Sequence, residues 1–384
     1  MKKNKKLLIL VNNLSFFLSH RLPIAEASLS KGFDIVIGYG ELGGADPKLL
    51  EQKGINIKYI PIHRGGVNLF KDLKSLYYIW NFFKKETPDI IHLVTIKPYL
   101  YGGVICRLIR VPGLVSAVSG LGSLFVSKNL KSRFLRALLS PVYKLALSHS
   151  NQKIIVHNKE DAKLLIEWGV LAPLKVKLIK GSGVELKKFR NLVEPNGVPV
   201  VCLAARLLRD KGIYEFVSAA KLLKIRGIKA RFCIAGDLDH KNPTGLNNND
   251  LKKIKEEGNV EFLGFQKDIP NLYSQSHIIC LPSYREGLPK SLIEAAAASR
   301  SVVTTDVPGC RDAIIPNITG LLVPVKNPQK LADALQWLIE HPKERIHMGQ
   351  AGRKLAEKEF AIKNIVQKHL DIYQDLLNNN PSSY

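Results

Sequence analysis

Two glutamates flank the start of a predicted helix in the segment SYREGLPKSLIEAAAASR, residues 283–300. Glu286 stands in the turn before the helix, and Glu294 lies eight positions later, inside it. Gly287 permits a close backbone approach, and Pro289 suits the first helical position. Ionised carboxylates only accept hydrogen bonds, and vicinal hydroxyls are natural donors to them. The pattern fits either a capped helix with a solvated face or a site for a polyhydroxylated, phosphorylated ligand.

A second pair of charged residues occurs upstream, in CLAARLLRDKGI. Arg206 ends an apolar strand, and Lys211 follows five positions later, ahead of a helix. A guanidinium fork and an ammonium at a strand end suit a diphosphate. The free N–H groups at the start of the helix after Gly287 suit phosphate oxygens as well. Each residue alone is an ordinary surface charge, but their shared position after strands favours a ligand site.

The elements that must position these residues alternate along the chain. Short β-rich runs such as KLLILVN, FDIVIGYG and DIIHLV are separated by helical stretches of 10–15 residues, and the alternation restarts at VPVVCLAARL. Such an order predicts parallel βαβ units with right-handed crossovers. We therefore predict an α/β fold of two Rossmann-like, doubly wound parallel-sheet domains that face a central cleft. Ligands bind beyond the carboxyl ends of such strands.

The composition supports two cores and a reducing environment. The chain has 384 residues, of which 46% are hydrophobic and 23% charged. Its five cysteines show no metal-like spacing, which favours buried thiols. The apolar run that begins at Leu7 is too short for a signal peptide or a membrane span and is predicted to form the first strand.

The charge is uneven between the two halves. The net charge is +24, and residues 1–190 hold 31 Lys and Arg against 12 Asp and Glu. Residues 90–159 contain no acidic residue at all. The first half therefore faces an anionic partner, for which nucleic acid, an acidic membrane and a phosphorylated substrate are candidates.

The second half resembles the nucleotide-sugar domain of retaining glycosyltransferases of family 4, which have the GT-B fold. The segments that carry the resemblance are ARLLRDKGI, IAGD, VEFLGFQKDIPNLY, LPSYREGLPKSLIEAAA and TTDVPGCRDAI, within about 130 residues. The resemblance implies that the ribose contacts Glu294 and that the β-phosphate meets the amides of Gly287 and Leu288. The residues that it assigns to catalysis, at the diphosphate and the transferred sugar, are Arg206, Lys211 and Glu286. Those that it places beside the base are Phe265, Gln266, Asp268 and Ile269.

The first half resembles bacterial members that elongate lipid-linked oligosaccharides, including N-acetylgalactosaminyltransferases. The resemblance rests on NNLSFFLSHRLPIAEA and SAVSGLGSLF. It makes His20 and Arg21 candidates for the acceptor pyrophosphate or the donor phosphates. Many family members carry a histidine where this chain has Ser119, and Gly120 and Gly122 leave room there.

We predict three regions: an acceptor-binding domain over 1–187, a nucleotide-sugar domain over 188–365, and a last helix within 366–384 that returns to the first domain. The segment SKNLKSRFLRALLSPVYKLALSHS is predicted to form a basic amphipathic helix, either half-buried or lying on anionic lipid headgroups. Its basic residues are Lys128, Lys131, Arg133, Arg136 and Lys144.

Three weaker motifs favour ordinary structure. GYGELGG at 38–44 fits a dinucleotide-binding pattern but lacks the acidic residue about 20 positions later. The DLD at 237–239 imitates a metal-binding D-x-D, yet it lies in the half that resembles a metal-independent fold. His92 and His157 follow apolar runs and either face the cleft or are satisfied in the core.

The sequence and its resemblances thus predict a retaining glycosyltransferase that needs no metal or cofactor and uses a nucleotide-sugar donor, which is expected to be UDP-linked. The acceptor is predicted to be a sugar on a polyprenyl diphosphate, with the enzyme cytoplasmic and peripheral on the inner membrane face. A UDP-sugar epimerase or hydrolase of the same fold is the first alternative. A nucleic-acid-binding protein, suggested by charge alone, is the second, but no recognisable binding module supports it.

Overall fold

The computed structural model describes most of the chain. The described ranges are 4–63, 68–121, 130–190, 193–239 and 242–379, with only the backbone described at 130–132. The predicted candidates Gly122 and Lys128, and the side chain of Lys131, therefore lie outside the described residues.

The chain divides into two compact units. The first comprises Met1–Ser182 together with Lys363–Tyr384, and the second comprises Gly183–Ile362. The sequence predicts the corresponding boundaries at 187 and 365.

A parallel seven-stranded sheet forms the centre of the first unit, in the order β3-β2-β1-β4-β5-β6-β7. Its strands are β1 (Lys6–Asn13), β2 (Asp34–Glu41), β3 (Asn56–Tyr59), β4 (Ile90–Val94), β5 (Gly113–Val118), β6 (Gln152–Val156) and β7 (Val176–Leu178). Its helices are α1 (Leu14–His20), α2 (Leu22–Ser30), α3 (Lys48–Glu51), α4 (Leu69–Glu86), α5 (Gly103–Ile109), α6 (Leu130–Ala146) and α7 (Lys159–Glu167). Residues 7–11 of β1 are fully buried, as expected for a parallel strand whose two faces are both covered.

The last helix of the chain, α14 (Ile362–Asn378), covers one face of this first sheet. Ile365, Ile372, Tyr373 and Leu376 are buried in one cluster with apolar residues of β1, β4 and β5. Burying these side chains provides a hydrophobic contribution to the stability of the first unit.

The second unit contains a parallel six-stranded sheet in the order β10-β9-β8-β11-β12-β13. Its strands are β8 (Val200–Ala204), β9 (Arg231–Ala235), β10 (Glu261–Gly264), β11 (Ile278–Leu281), β12 (Ser301–Thr305) and β13 (Gly320–Val323). Its helices are α8 (Ile213–Ile225), α9 (Asn248–Glu257), α10 (Ile269–Ser274), α11 (Lys290–Ala297), α12 (Pro328–Glu340) and α13 (Pro342–Leu355).

Both sheets are doubly wound, so each has a point at which the strand order reverses. In the second sheet β8 and β11 are neighbours, and the chain runs outward from them in opposite directions. In the first sheet the corresponding neighbours are β1 and β4. Ligands of open α/β sheets bind at the carboxyl ends of the strands at such a switch point.

Candidate functional site

Arg206 and Lys211 lie in the loop after β8, at the switch point of the second sheet. Arg206 is half exposed, and its Nη1 donates to Asp239 Oδ2 over 2.5 Å. A short 3-10 turn, Arg209–Lys211, leads to Gly212, whose φ is +73°. A Cβ at Gly212 would lie 2.1 Å from the carbonyl oxygen of Pro282. Only glycine lets the β8 loop approach the end of β11 this closely.

Glu286 lies in the adjacent loop after β11, and its carboxylate is bound to Lys211. Lys211 Nζ donates to Glu286 Oε1, and the two side chains are only 19% and 12% exposed. The Ser283 hydroxyl lies 2.7 Å from the same carboxylate oxygen and 2.9 Å from the carbonyl oxygen of Asp210. The two loops are therefore joined by charge-assisted hydrogen bonds, which fix the ammonium and the carboxylate next to each other.

The turn at Gly309 packs closely against the backbone of the Glu286 loop. Gly309 has φ +80°, and a Cβ there would lie 2.5 Å from the carbonyl oxygen of Glu286 and 2.6 Å from that of Gly287. Any larger residue would push the loop away from its position. The sequence signal for this contact is the Pro-Gly pair of DVPGC, at positions 308–309.

Helix α11 begins directly after this loop, one residue later than predicted. Pro289 occupies the N-cap, not the first helical position, with φ −71° and ψ 126°. A proline side chain has no hydrogen-bonding group, so it cannot cap the helix, and the first-turn N–H groups are suited to an anion. The amides of Gly287 and Leu288 precede this turn.

Glu294 lies in the middle of α11 with its side chain only 13% exposed. Burial raises the pKa of its carboxyl group, while Lys290, whose Nζ lies 3.5 Å from Oε1, opposes the shift. The prediction of a solvated helix face therefore does not apply to this residue. A carboxylate that is largely removed from water gains strongly from hydroxyl donors supplied by a ligand.

The four predicted base-site residues after β10 differ in their exposure and contacts. Phe265 is 64% exposed, so its ring face is accessible. Gln266 donates from Nε2 to the carbonyl of Leu263 over 2.6 Å. Asp268 is the N-cap of α10 and accepts from the amide of Asn271. Ile269 packs partly buried against the core of the second unit.

The first-unit candidates separate into surface and interior residues. His20 ends α1 and stacks on Phe16 with ring centroids 4.1 Å apart. Arg21 is only 1% exposed, and its Nη1 donates to the carbonyl of His20. A phosphate would have to enter the core to reach Arg21, so the predicted direct contact does not fit its position. Ser119 and Gly120 follow β5, and Gly120 has φ +139°.

The Arg21 guanidinium lies in a buried cluster of three imidazoles and one phenol. His92 Nδ1 lies 2.6 Å from the hydroxyl of Tyr373, and His157 and His369 each donate from Nδ1 to a backbone carbonyl. Burial and the charge of Arg21 lower the pKa of His157 to about 4 and that of His369 to about 3. The pKa of His92 is also lowered well below its usual value, mainly by burial. His92 and His157 are thus interior residues.

Helix α6 presents apolar and basic side chains together. Arg133 and Lys144 are exposed and Arg136 is half-buried. The exposed apolar residues of the helix are Phe134, Leu135, Leu138, Val142 and Leu145.

Among the described residues, no helix is both long and apolar enough to cross a bilayer. Within the same residues, no group of three or more His, Cys, Asp and Glu side chains is arranged to hold a metal ion.

Comparison with known proteins gives relatives along nearly the whole chain. It is 29% identical over 385 residues to the N,N'-diacetylbacillosaminyl-diphospho-undecaprenol alpha-1,3-N-acetylgalactosaminyltransferase of Campylobacter jejuni, covering 94% of this chain and 99% of that protein. It is 26% identical to the capsular polysaccharide biosynthesis glycosyltransferase CapM of Staphylococcus aureus, covering 98% of each. The structure of Anabaena HepE in complex with UDP and glucose matches with a TM-score of 0.77 at 18% identity, covering 96% of this chain and 99% of that one. At this identity the structural match establishes the fold.

Two family models match the chain, one in each half. Residues 6–158 match the model described as Glycosyl transferase 4-like, and residues 184–355 match Glycosyl transferases group 1. The two parallel sheets with flanking helices are those of the GT-B fold, as the sequence predicts. The chain therefore belongs to the glycosyltransferases of the GT-B fold, with a 4-like first half and a group 1 second half.

Proposed function

We propose that this glycosyltransferase moves an N-acetylhexosamine from a UDP-sugar to a sugar on a polyprenyl diphosphate, with retention of anomeric configuration. The observation that carries the proposal is the Lys211–Glu286 pair at the β8–β11 switch point, beside the start of α11. A cation, a carboxylate and the positive end of a helix at one place suit a sugar diphosphate. The relatives support it, since the name of the Campylobacter protein specifies N-acetylgalactosaminyl transfer with a diphospho-undecaprenol-linked sugar, and that of CapM specifies capsular polysaccharide biosynthesis.

In this proposal the donor lies along the carboxyl edge of the second sheet. Arg206 and Lys211 bind the diphosphate, and the amides of Gly287 and Leu288 bind the β-phosphate. Glu286 accepts from hydroxyls of the transferred sugar, and Glu294 accepts from the ribose. The base stacks on Phe265, the exposed ring at the end of β10, and Gln266, Asp268 and Ile269 form the border of that subsite. The UDP in the structural relative HepE supports a uridine nucleotide.

The chemical step breaks the anomeric C–O bond to the β-phosphate. Negative charge develops on the departing diphosphate, where Lys211, Arg206 and the first amides of α11 stabilise it without reorganising. The acceptor hydroxyl attacks from the face that the diphosphate leaves, which retains the configuration. Its proton passes to the departing phosphate oxygen, so the step needs no separate acid.

The acceptor side of the proposal rests on the basic first unit. Helix α6 lies on anionic lipid headgroups through Arg133, Arg136 and its exposed apolar residues, and Lys128 and Lys131 extend the same basic segment. His20 contacts the acceptor pyrophosphate. The enzyme is then peripheral on the cytoplasmic face of the membrane, where nucleotide sugars are available.

The test is a transfer assay with UDP-N-acetylhexosamines and a polyprenyl-diphosphate-linked sugar, read by mass spectrometry of the lipid product. The proposal expects one added N-acetylhexosamine, dependent on both substrates, with an α linkage by NMR after transfer from an α-linked donor. Sugar release or epimerisation at the same rate without the lipid acceptor would instead favour the UDP-sugar hydrolase or epimerase.

Replacing Phe265 with alanine is expected to weaken UDP binding about 10-fold, because stacking of a base on an aromatic ring contributes roughly 1–3 kcal/mol. Phe265→Tyr keeps the ring face and should bind within about 3-fold of the wild type. Isothermal titration with UDP measures both. Ile225→Ala, at another exposed apolar position of the second unit, is the control. If Phe265→Ala and this control bind UDP equally well, the base does not lie at Phe265.

A further inference from the structure

Thr95, directly after β4, has an unusual backbone conformation at the switch point of the first sheet. Its φ is +75°, in the left-handed region, although it is β-branched. Branching at Cβ makes this region unfavourable, so the surrounding structure must hold Thr95 there. Strained residues of this kind concentrate at binding and catalytic sites.

The residues that follow show how the turn is held. The amide of Tyr99 donates to the carbonyl of Thr95 over 3.1 Å, and a π-helical turn runs from Pro98 to Gly102. Lys97 Nζ lies 2.8 Å from Asp72 Oδ1. The other oxygen of Asp72 accepts from the amide of Asn68 at the start of α4. An ion pair therefore ties the turn to the adjacent helix.

Two hydroxyls at this edge of the sheet have no hydrogen-bond partner among the described residues. They are Thr95 Oγ1 and Ser119 Oγ, and both oxygen atoms are shielded from solvent. Val94 is in register with Ala117 in the pairing of β4 with β5, so the two hydroxyls follow neighbouring strand ends. Buried hydroxyls are normally hydrogen-bonded, which makes a missing partner at both positions informative.

We infer that Thr95 and Ser119 bind hydroxyl groups of the sugar that accepts the transferred residue. This inference rests on the proposed function and identifies residues that position its acceptor. A hydroxyl both donates and accepts, so it matches the hydroxyls of a sugar ring in either direction. The switch point between β1 and β4 is where a ligand of the first sheet is expected.

The same geometry argues for a neutral sugar over a phosphate at this position. The nearest lysine of the turn, Lys97, is neutralised by Asp72, and both side chains are largely buried. A threonine and a serine hydroxyl add no charge. The ligand group that fits is uncharged and rich in hydroxyls.

The test separates the lost hydroxyl from the relieved strain. Thr95→Val removes the hydroxyl but keeps the branched shape, Thr95→Ser keeps the hydroxyl, and Thr95→Gly removes both the hydroxyl and the strain. Thr87 is the matched control: it also has a positive φ, +44°, but it is exposed at the end of α4 that precedes β4. Glycine at either position relieves an unfavourable φ and should raise Tm.

For Thr95→Val and Thr95→Gly we expect the KM for the lipid-linked acceptor to rise about 10-fold, with the Kd for UDP within about 2-fold of the wild type. Thr95→Ser and Thr87→Gly should leave both constants within about 3-fold of the wild type. A higher Tm together with poorer acceptor use in Thr95→Gly is a result that a purely structural role does not produce. An unchanged acceptor KM in Thr95→Val, or equal loss of UDP binding in every Thr95 variant, would overturn the inference.

A direct binding measurement keeps this test distinct from that of the proposed function. A short-chain polyprenyl-diphosphate sugar is titrated into the wild type and Thr95→Val without any donor. Wild-type binding that weakens about 10-fold in the variant supports the subsite even if the UDP-sugar assignment fails. Equal binding by the two proteins, or none by either, refutes the subsite, and UDP binding then decides the donor assignment separately.

Discussion

Replacing Lys211 with methionine is expected to lower kcat about 10³-fold, the effect of removing one preorganised group that stabilises charge in a transition state. The ammonium lies at the switch point beside the start of α11, where we place the departing diphosphate. It is mostly buried, so little water would replace its interaction with the phosphate. Kinetics at saturating UDP-sugar measure the effect, because the loss is in the chemical step.

Lys211→Met also leaves the Glu286 carboxylate unpaired, and its stability effect must be separated from its catalytic effect. The carboxylate keeps its hydrogen bond from Ser283 but loses its charged donor, and losing a charged hydrogen bond at a largely buried group costs about 1–3 kcal/mol. The double variant Lys211→Met/Glu286→Gln removes both charges and should regain most of that stability while its kcat stays low. Lys224→Met, at an exposed position of α8, should behave as the wild type. A folded Lys211→Met enzyme that retains more than about one-tenth of kcat would contradict the assigned role.

Acid is expected to destabilise the first unit between pH 7 and pH 5. The imidazoles of His92, His157 and His369 have pKa values in the folded protein far below those in the unfolded chain. The unfolded state therefore binds more protons as the pH falls through 6.5, and stability decreases with decreasing pH. His157 and His369, with pKa values of about 4 and about 3, each contribute a loss of about 2 kcal/mol over this range, roughly 4 kcal/mol together, and His92 acts in the same direction.

The tryptophans allow the two units to be followed separately. Trp80 and Trp168 lie in the first unit, and Trp337 lies in the second. Urea unfolding of a Trp337→Phe variant, monitored by fluorescence at several pH values, reports on the first unit. Arg21→Met should flatten the pH dependence, because the charge of Arg21 helps to lower the imidazole pKa values. A free energy of unfolding that changes by less than about 1 kcal/mol between pH 7 and pH 5 would show that the histidines are not protected as described.

Hydrophobic patterning was enough to predict the fold. Short apolar runs that alternate with helical segments predict parallel βαβ units. The loops after β8 and β11 both follow strand ends, which predicts that they contribute to one ligand site. The glycine at 287 and the following proline also marked the start of α11, although the boundary differed by one residue. Helix ends depend on local cap geometry, which sequence reports less well than the existence of a helix.

Side-chain partners could not be predicted in the same way, because they depend on distances between segments far apart in sequence. Nothing near Arg21 indicates that it is interior, since two of the groups around it, His369 and Tyr373, come from a helix at the other end of the chain. Likewise, the sequence around Asp268 does not show that its carboxylate caps α10. The positive φ of Thr95 could not be predicted, because a threonine in a sequence gives no indication of a left-handed backbone conformation.

Isothermal titration of UDP and of GDP into the wild type and Glu294→Ala tests the donor site on which the proposed function depends. Glu294 is a mostly buried carboxylate on α11 that we assign to the ribose. We predict selective UDP binding by the wild type and at least about 10-fold weaker binding by the variant, because two hydroxyl donors lose a charged acceptor. Absence of nucleotide binding, or equal UDP affinity in a folded Glu294→Ala protein, would contradict the assignment of the Glu286–Glu294 segment to a nucleotide sugar.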